Sequence, residues 1–138
     1  AGWVWWPPHP EMDMPMLTLA HVLVVVVALL HLYFLVLEMF LWTKPLGLKT
    51  FRNTPEKAEA TRVLAANQGL YNGFLAAGLL YYLYLGQWQV VMFFLHCVLV
   101  AALYGAYSVN KRIFFVQGVP AIAAILAIWA MQHGVGAA

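Results

Sequence analysis

Three amide side chains and a phenol occur in one short segment of an otherwise apolar stretch of the chain. Asn67, Gln68, Tyr71 and Asn72 lie within residues 67–73. Hydrocarbon contains no water to satisfy a carboxamide, so such side chains usually face a bundle interior, bridge helices or line a site. Because an amide can orient an oxygen atom of a ligand and a phenol can donate a hydrogen bond, the segment is a candidate small-molecule site.

Glu38 is the only acidic residue of the apolar stretch 17–42, and a carboxyl there could act as a general acid, a general base or a proton carrier. His31 precedes it by seven residues, which is nearly two helical turns, on almost the same face. Counting inward at about 1.5 Å per residue from the ends of the spans places Glu38 at a depth similar to that of Asn67 to Asn72, Tyr104, Tyr107 and Gln117. We predict that Glu38, Tyr71 and Asn72 are catalytic, and that His31, Asn67, Gln68, Tyr104 and Gln117 bind the ligand.

A purely structural role is the alternative for both groups. Gly69, Gly73 and Ala76 fall within about 60° of one another on a helix and predict a smooth stripe for close helix packing. The amides would then join helices, at about 0.6 to 2 kcal/mol each. Glu38 would instead reach the membrane surface or pair with Lys44 or Arg62. The sequence leaves these alternatives open.

Two histidines near the middle of two apolar segments, His31 and His96, are weak candidates for haem or metal ligands. Their spacing is not diagnostic, and hydrogen bonding to the backbone or to Glu38 is the favoured interpretation. Cys97 is the only cysteine, which excludes an internal disulfide or a thiolate cluster. The sequence therefore does not determine whether the protein holds a haem, a metal or neither.

The composition requires that these residues sit in membrane helices. The 138 residues are 64% apolar and 9% charged, with a mean hydropathy of +0.81, whereas a soluble chain is about 25% charged. Four segments reach the roughly 20 residues that cross a bilayer. They are residues 17–42, 64–85, 88–108 and 113–133. We predict an all-α, four-helix transmembrane bundle as a single domain, 17–138, after a Trp- and Pro-rich interfacial tail, 1–16.

The basic residues predict an orientation. All 7 Lys and Arg lie in the connections 43–63 and 109–112. The positive-inside rule makes these connections cytoplasmic, so both termini face outward. Within the first connection, Pro45 to Gly47 indicate a turn, and Thr54 before Pro55 predicts the start of a helix that extends into the second span. Nothing in the sequence indicates nucleic-acid binding.

The runs 30–42 and 66–78, together with Gln117-Gly118-Val119-Pro120, resemble a family of small bacterial four-helix membrane proteins known as domain of unknown function 1304. The resemblance extends from about Pro15 to Gln132. It implies the four-helix fold and a multi-pass location in the bacterial inner (plasma) membrane. It implies no particular activity.

The segment 69–73, Gly-Leu-Tyr-Asn-Gly, is also similar to a segment of the membrane-bound styrene oxide isomerases. In those enzymes a histidine about a turn and a half before the asparagine holds haem b, and the asparagine positions an epoxide at the iron. Asn72 matches that asparagine. Ala66 or Asn67 occupies the histidine position, so haem b would need His31 or His96 as a substitute ligand.

The sequence thus supports three functional hypotheses. The first is a polar small-molecule site in the cytoplasmic half of the bundle, with an isomerase or related enzyme acting on an apolar substrate as its specific form. The second is a non-catalytic accessory or assembly subunit of a larger membrane complex. The third is a small proton-coupled transporter that uses Glu38. Expected partners are the lipid bilayer, a small apolar molecule, and further copies of the chain or a larger complex.

Overall fold

The computed structural model describes residues 14–134, and this part of the chain is helical without any β-strand. The all-α prediction is therefore confirmed. The helices are α1 (Met14–Met39), α2 (Pro45–Phe51), α3 (Pro55–Tyr84), α4 (Trp88–Ser108) and α5 (Val119–Gln132), with a π-helical turn over Phe114–Gly118. Of the predicted tail, residues 1–13 lie outside the described residues, and Met14 to Met16 form the start of α1.

Three helical segments are long and apolar enough to cross a membrane: Met14–Met39, Trp88–Ser108 and Phe114–Gln132. The remaining predicted span, 64–85, falls mostly within α3. This helix has 30 residues but does not qualify on composition, because its amide side chains lower its hydropathy. The membrane character of the chain is thus supported by three of the four predicted spans.

The prediction of four helices is wrong in number, because the connection after α1 contains the additional helix α2. The sequence indicates a turn there, since proline and glycine occur at Pro45 and Gly47. Pro45 instead occupies the first position of a helix, where its missing N–H costs nothing. Gly47 is buried, and a Cβ atom there would overlap the backbone carbonyl of Leu41. The glycine therefore permits close packing rather than a turn.

α3 begins at Pro55 as predicted, with Thr54 as its N-cap. The Thr54 hydroxyl accepts a hydrogen bond from the Lys57 backbone N–H at 3.2 Å. A second contact joins this first part of α3 to the connection that follows α1, because Trp42 Nε1 donates to Thr61 Oγ1 at 3.1 Å. Trp42 also packs on Phe51 with ring centroids 4.7 Å apart. These contacts hold α2 and the start of α3 against the end of α1.

The four long helical segments form a bundle in which α1 and α4 each pack against both α3 and α5. The main core cluster draws on residues 20–28, 76–83, 91–98 and 121–131. It fills the end of the bundle remote from the two basic connections. Many of its members are alanines with no exposed surface, among them Ala20, Ala76 and Ala124, so the helices approach closely there.

The π-helical turn lies where Gly118 and Pro120 follow the second basic connection. The Val119 backbone N–H donates to the carbonyl of Phe114, five residues earlier, instead of the usual four. Such turns insert one extra residue into a helix and rotate the side chains that precede it. Here the π-helical turn directly precedes α5. It lies at the end of the bundle where α1 finishes.

Candidate functional site

A cleft of about 340 Å³ opens at the end of the bundle that carries the basic connections. It lies between the end of α1, the end of α2, α3, and the segment that joins α4 to α5. Its lining is Leu30, Tyr33, Phe34, Leu37, Glu38, Thr50, Phe51, Arg52, Gln68, Val109, Asn110, Arg112, Ile113, Val116 and Gln117. Apolar side chains thus supply much of the wall, and polar groups come from every side.

Glu38 forms the polar centre of the α1 wall. Its side chain is 6% exposed, and its Oε1 accepts a hydrogen bond from Asn72 Nδ2 of α3 at 2.8 Å. A buried carboxyl is costly unless it is hydrogen-bonded, and Asn72 supplies one such bond across the helix interface. The pair can accept or release a proton while the amide holds the carboxyl in place.

Gly69 allows this pair to form by letting α3 approach α1. A Cβ atom at Gly69 would lie 2.8 Å from Met39 Cγ, 3.0 Å from Glu38 Cβ and 3.2 Å from the Leu35 carbonyl oxygen. One turn later, a Cβ at Gly73 would meet Leu35 Cδ1 at 2.5 Å. Ala76 continues the stripe and is fully buried. The small residues therefore face the neighbouring helices and set the distance between Glu38 and Asn72.

Of the predicted site residues, the structure brings together Glu38, Asn72, Gln68 and Gln117. Gln68 and Gln117 line the same cleft as Glu38, from α3 and from the π-helical turn. These side chains come from three separate helical segments. The arrangement can hold a polar group of a ligand between a carboxyl and two amides.

Besides His31, which is described below, three predicted residues lie elsewhere. Asn67 is exposed, and its Nδ2 donates to the Val63 carbonyl of its own helix at 2.8 Å. Tyr71 is 63% exposed and packs on Phe74, while Tyr104 is 69% exposed on α4. None of the three lines the cleft. Their depth along the helices is similar to that of Glu38. Depth alone does not determine which face of a helix a side chain occupies.

The two histidines occupy different environments. His31 is buried and its Nδ1 donates to the Val27 carbonyl at 2.8 Å, whereas His96 is exposed and bonds Met92 in the same way at 2.7 Å. Within residues 14–134, no group of three or more His, Cys, Asp or Glu side chains could hold a metal ion. His31 does contact Phe34, with ring centroids 5.5 Å apart, but it does not line the cleft.

These residues do not fit haem b. The position of the expected histidine is held by Ala66 or Asn67, and no histidine belongs to the cleft lining. The substitute ligands would be His31, which is in the bundle interior, and His96, which is on its outer surface. We therefore derive no chemistry from a haem group.

Two arginines of the cleft are site residues that no motif in the sequence indicates. Arg52 and Arg112 come one from each basic connection and both line the cleft. In the described part of the chain the ion pair formed is between Arg62 and Glu59, at 3.2 Å, so neither cleft arginine is paired with a carboxylate. The sequence places one of them in each basic connection, where their charge indicates orientation but not proximity to each other.

Arg52 has an unusual backbone. It caps the C-terminus of α2 with φ 53° and ψ 41°, and among residues 14–134 it is the non-glycine residue with positive φ. This left-handed conformation costs about 1–2 kcal/mol for a residue with a Cβ, and glycine commonly occupies it at helix ends.

Comparison with known proteins assigns a family. The model of a family described as "Protein of unknown function (DUF1304)" matches residues 25–129. The uncharacterized protein YpaA of Lactococcus lactis subsp. lactis (strain IL1403) is 34% identical over 115 residues, which cover 80% of this chain and 97% of the relative. No solved structure gives a significant match. The matches do not extend to the styrene oxide isomerases.

Proposed function

This chain belongs to the DUF1304 family, whose function is unknown, and we propose that it is an integral membrane protein. It would bind a small, largely apolar molecule in the Glu38 cleft. The ligand would place an oxygen-containing group near Glu38, Gln68 and Gln117, and its apolar part along α1.

The observation that carries this proposal is the buried Glu38 at the wall of a cleft, hydrogen-bonded to the half-buried Asn72. A carboxyl within an apolar helix is expensive and usually serves a function. Here it is 6% exposed, is held by an amide at 2.8 Å, and borders a volume of about 340 Å³. That volume falls in the range of about 300–1,000 Å³ that small-molecule pockets occupy.

The topology proposed with this function has four membrane crossings. α3 pairs with α1 along its length, because Asn72 meets Glu38 at one end and residues 76–83 share the core with 20–28 at the other. Because α3 packs alongside the apolar span α1 in this way, it would cross the membrane together with α1, although α3 contains amide side chains. With four crossings, both basic connections lie on the same side of the membrane. The positive-inside rule makes that side cytoplasmic, and the membrane would be the inner membrane of a bacterium.

The specific enzymatic form of the proposal is an isomerase. A single carboxyl held by an amide can remove a proton from one position of a substrate and return it to another. Such a reaction needs no second substrate and suits a small cleft. In this account Glu38 exchanges the proton, and Gln68 and Gln117 orient the oxygen of the substrate.

The accessory-subunit hypothesis gains support from a different surface. Asn67 and Tyr71 lie on the outer face of α3, where Tyr71 is 63% exposed. Polar groups on a lipid-facing surface favour contact with another membrane helix, either of a second copy or of a larger complex. Proton-coupled transport gains no comparable support, because the remote end of the bundle is packed with side chains such as Val24, Leu79 and Leu95 that have no exposed surface.

A matched pair of substitutions tests the binding proposal. Val116 and Val119 are both 46% exposed, but only Val116 lines the cleft. We expect Val116→Trp to fill the cleft and to abolish the rise in unfolding temperature that small apolar alcohols, ketones and epoxides cause in purified protein. Val119→Trp should retain that rise. If no compound stabilises the wild type, or if both variants respond alike, the proposal fails.

A further inference from the structure

We propose that the molecule bound in this cleft is an anionic amphiphile, namely a single hydrocarbon chain that ends in a phosphate or carboxylate group. This inference rests on the proposed function and names the class of ligand that the same site would take. It follows from how charged and apolar side chains are distributed around the cleft.

Two guanidinium groups supply the positive charge. Arg52 and Arg112 approach the cleft from separate connections, and both residues are exposed. Neither forms an ion pair within the described part of the chain, where Arg62 with Glu59 is the pair observed. Because guanidinium groups bind carboxylates and phosphates through paired hydrogen bonds, two unpaired arginines at one opening favour an anionic group there.

Two neutral polar side chains accompany the arginines in the lining, one a donor and the other an acceptor. Thr50 and Asn110 also line the cleft. The Asn110 side-chain oxygen accepts the Arg112 backbone N–H at 2.9 Å, which fixes the side chain and leaves its amide N–H₂ group as a donor. The Thr50 hydroxyl donates to the Leu46 carbonyl at 2.7 Å, so its oxygen can accept a hydrogen bond from a protonated phosphate.

The apolar wall continues inward from these groups. Leu30, Phe34 and Leu37 line the cleft at successive turns of α1, and Val116 faces them from the π-helical turn. Phe34 and Leu37 are buried, whereas the arginines are exposed. A ligand that contacts both the exposed arginines and the buried apolar wall must therefore have a charged end near the opening and an apolar end within the bundle.

Size selects a single chain. The cleft of about 340 Å³ is near the lower limit of about 300 Å³ for small-molecule pockets, so it suits one hydrocarbon chain better than a phospholipid with two. Glu38 is the only carboxylate of the lining. It is buried and held by Asn72 at 2.8 Å, whereas both arginines are exposed. Because two arginines face one carboxyl, the lining keeps a net positive charge.

The probes for a binding experiment are decyl phosphate and decanoate, with decanol, decyltrimethylammonium and inorganic phosphate for comparison. Binding to the purified full chain is measured by native mass spectrometry and by titration of the unfolding temperature. We expect decyl phosphate and decanoate to bind. Decanol should bind at least tenfold more weakly, since it lacks the charge-assisted hydrogen bonds, and the cation and inorganic phosphate should not bind measurably.

Adjacent basic residues provide the matched controls. Arg52→Gln and Arg112→Gln should each weaken decyl phosphate binding by about tenfold or more, as expected when one charge-assisted interaction is lost. Lys111→Gln removes the same charge next to Arg112 but from a residue outside the cleft lining, and it should leave binding unchanged. Decanol binding should be the same in all three variants.

The same assay can distinguish a ligand supplied by membrane lipids from one supplied by another source. In bilayer discs of zwitterionic lipid the wild type should bind decyl phosphate, and added anionic single-chain lysophospholipid should compete if membrane lipids supply the ligand. Anionic two-chain phospholipid should not compete at the same charge density. Competition by the two-chain lipid would overturn the inference, because it would show surface attraction rather than occupation of the cleft.

Failure of this inference differs from failure of the proposed function. If decanol and decyl phosphate bind equally well and both are lost in Val116→Trp, the cleft binds apolar molecules without selecting anions, and only the inference is overturned. An equal loss of decyl phosphate binding in Lys111→Gln and Arg112→Gln would also overturn it. If no probe binds, the proposed function fails as well.

Discussion

At the scale of single residues, the hydrogen bond between Glu38 and Asn72 defines the polar centre of the cleft wall. It joins two helices, and it satisfies a carboxyl that is 6% exposed. Asn67, five residues earlier on the same helix, is instead exposed and bonds its own backbone. The two asparagines therefore have different roles although the sequence presents them as one cluster.

Asn72→Ala should destabilise the protein by about 1–3 kcal/mol, because it leaves a buried acceptor without its donor. Asn67→Ala should change stability by less than about 0.5 kcal/mol, since its amide is on the surface. Thermal or denaturant unfolding in detergent measures both. Equal effects of the two substitutions would contradict the assigned roles.

Arg52 permits a second prediction at this scale, because its backbone and its side chain can be separated. Arg52→Gly should raise stability by up to about 1–2 kcal/mol by removing the cost of the left-handed conformation, while it weakens binding of an anionic amphiphile. Arg52→Gln should weaken binding without raising stability. If Arg52→Gly lowers stability, the guanidinium has a structural role instead.

At the scale of helices, the contact between α1 and α3 sets the geometry of the site. Gly69 lies against Glu38 and Met39, and Gly73 lies against the side chain of Leu35. These glycines differ in what surrounds them. A leucine methyl group can move aside, whereas the Leu35 carbonyl near Gly69, at 3.2 Å from a Cβ position, belongs to the backbone of α1.

Gly69→Ala should therefore destabilise the protein by about 1–3 kcal/mol, the usual cost of overpacking. Gly73→Ala should be close to neutral, because the helix propensity of alanine gains about 1 kcal/mol over glycine and offsets a small shift of Leu35. Unfolding temperatures of the two variants test this order. A larger loss for Gly73→Ala would show that the closest helix contact is one turn further along α3.

The same two helices show what the sequence could predict. The pairing of Glu38 with the amide segment followed from helix lengths and phase, and the structure contains it as the Glu38–Asn72 bond. The positions of Arg52 and Arg112 did not follow, because they depend on α2 and on the π-helical turn. Neither element has a strong periodic signal, and the proline and glycine of α2 resemble a turn.

At the scale of the whole molecule, the distribution of charge predicts the orientation in the membrane. All 7 basic residues lie in the two connections at the cleft end of the bundle. The cleft would then open at the cytoplasmic surface, at the level of the lipid headgroups. This position suits a ligand that partitions into the membrane and carries a charged end.

Cysteine labelling tests this orientation. After replacement of Cys97 by alanine, single cysteines at Lys49, Gln87 and Asn110 are treated with a membrane-impermeant maleimide in intact cells. We expect labelling at Gln87 alone, and labelling at all three sites once the cells are opened. Labelling of Lys49 or Asn110 in intact cells would reverse the orientation or remove a crossing.

Photoaffinity labelling can show whether a small amphiphile occupies the Glu38 cleft. A decyl phosphate with a diazirine in its chain, irradiated with the purified protein, should label Phe34, Leu37 and Val116 of the cleft lining, and Val116→Trp but not Val119→Trp should abolish this labelling. Equal labelling of the lipid-facing Leu29 and Phe93, which are 56% and 65% exposed, with no loss in Val116→Trp, would contradict the claim.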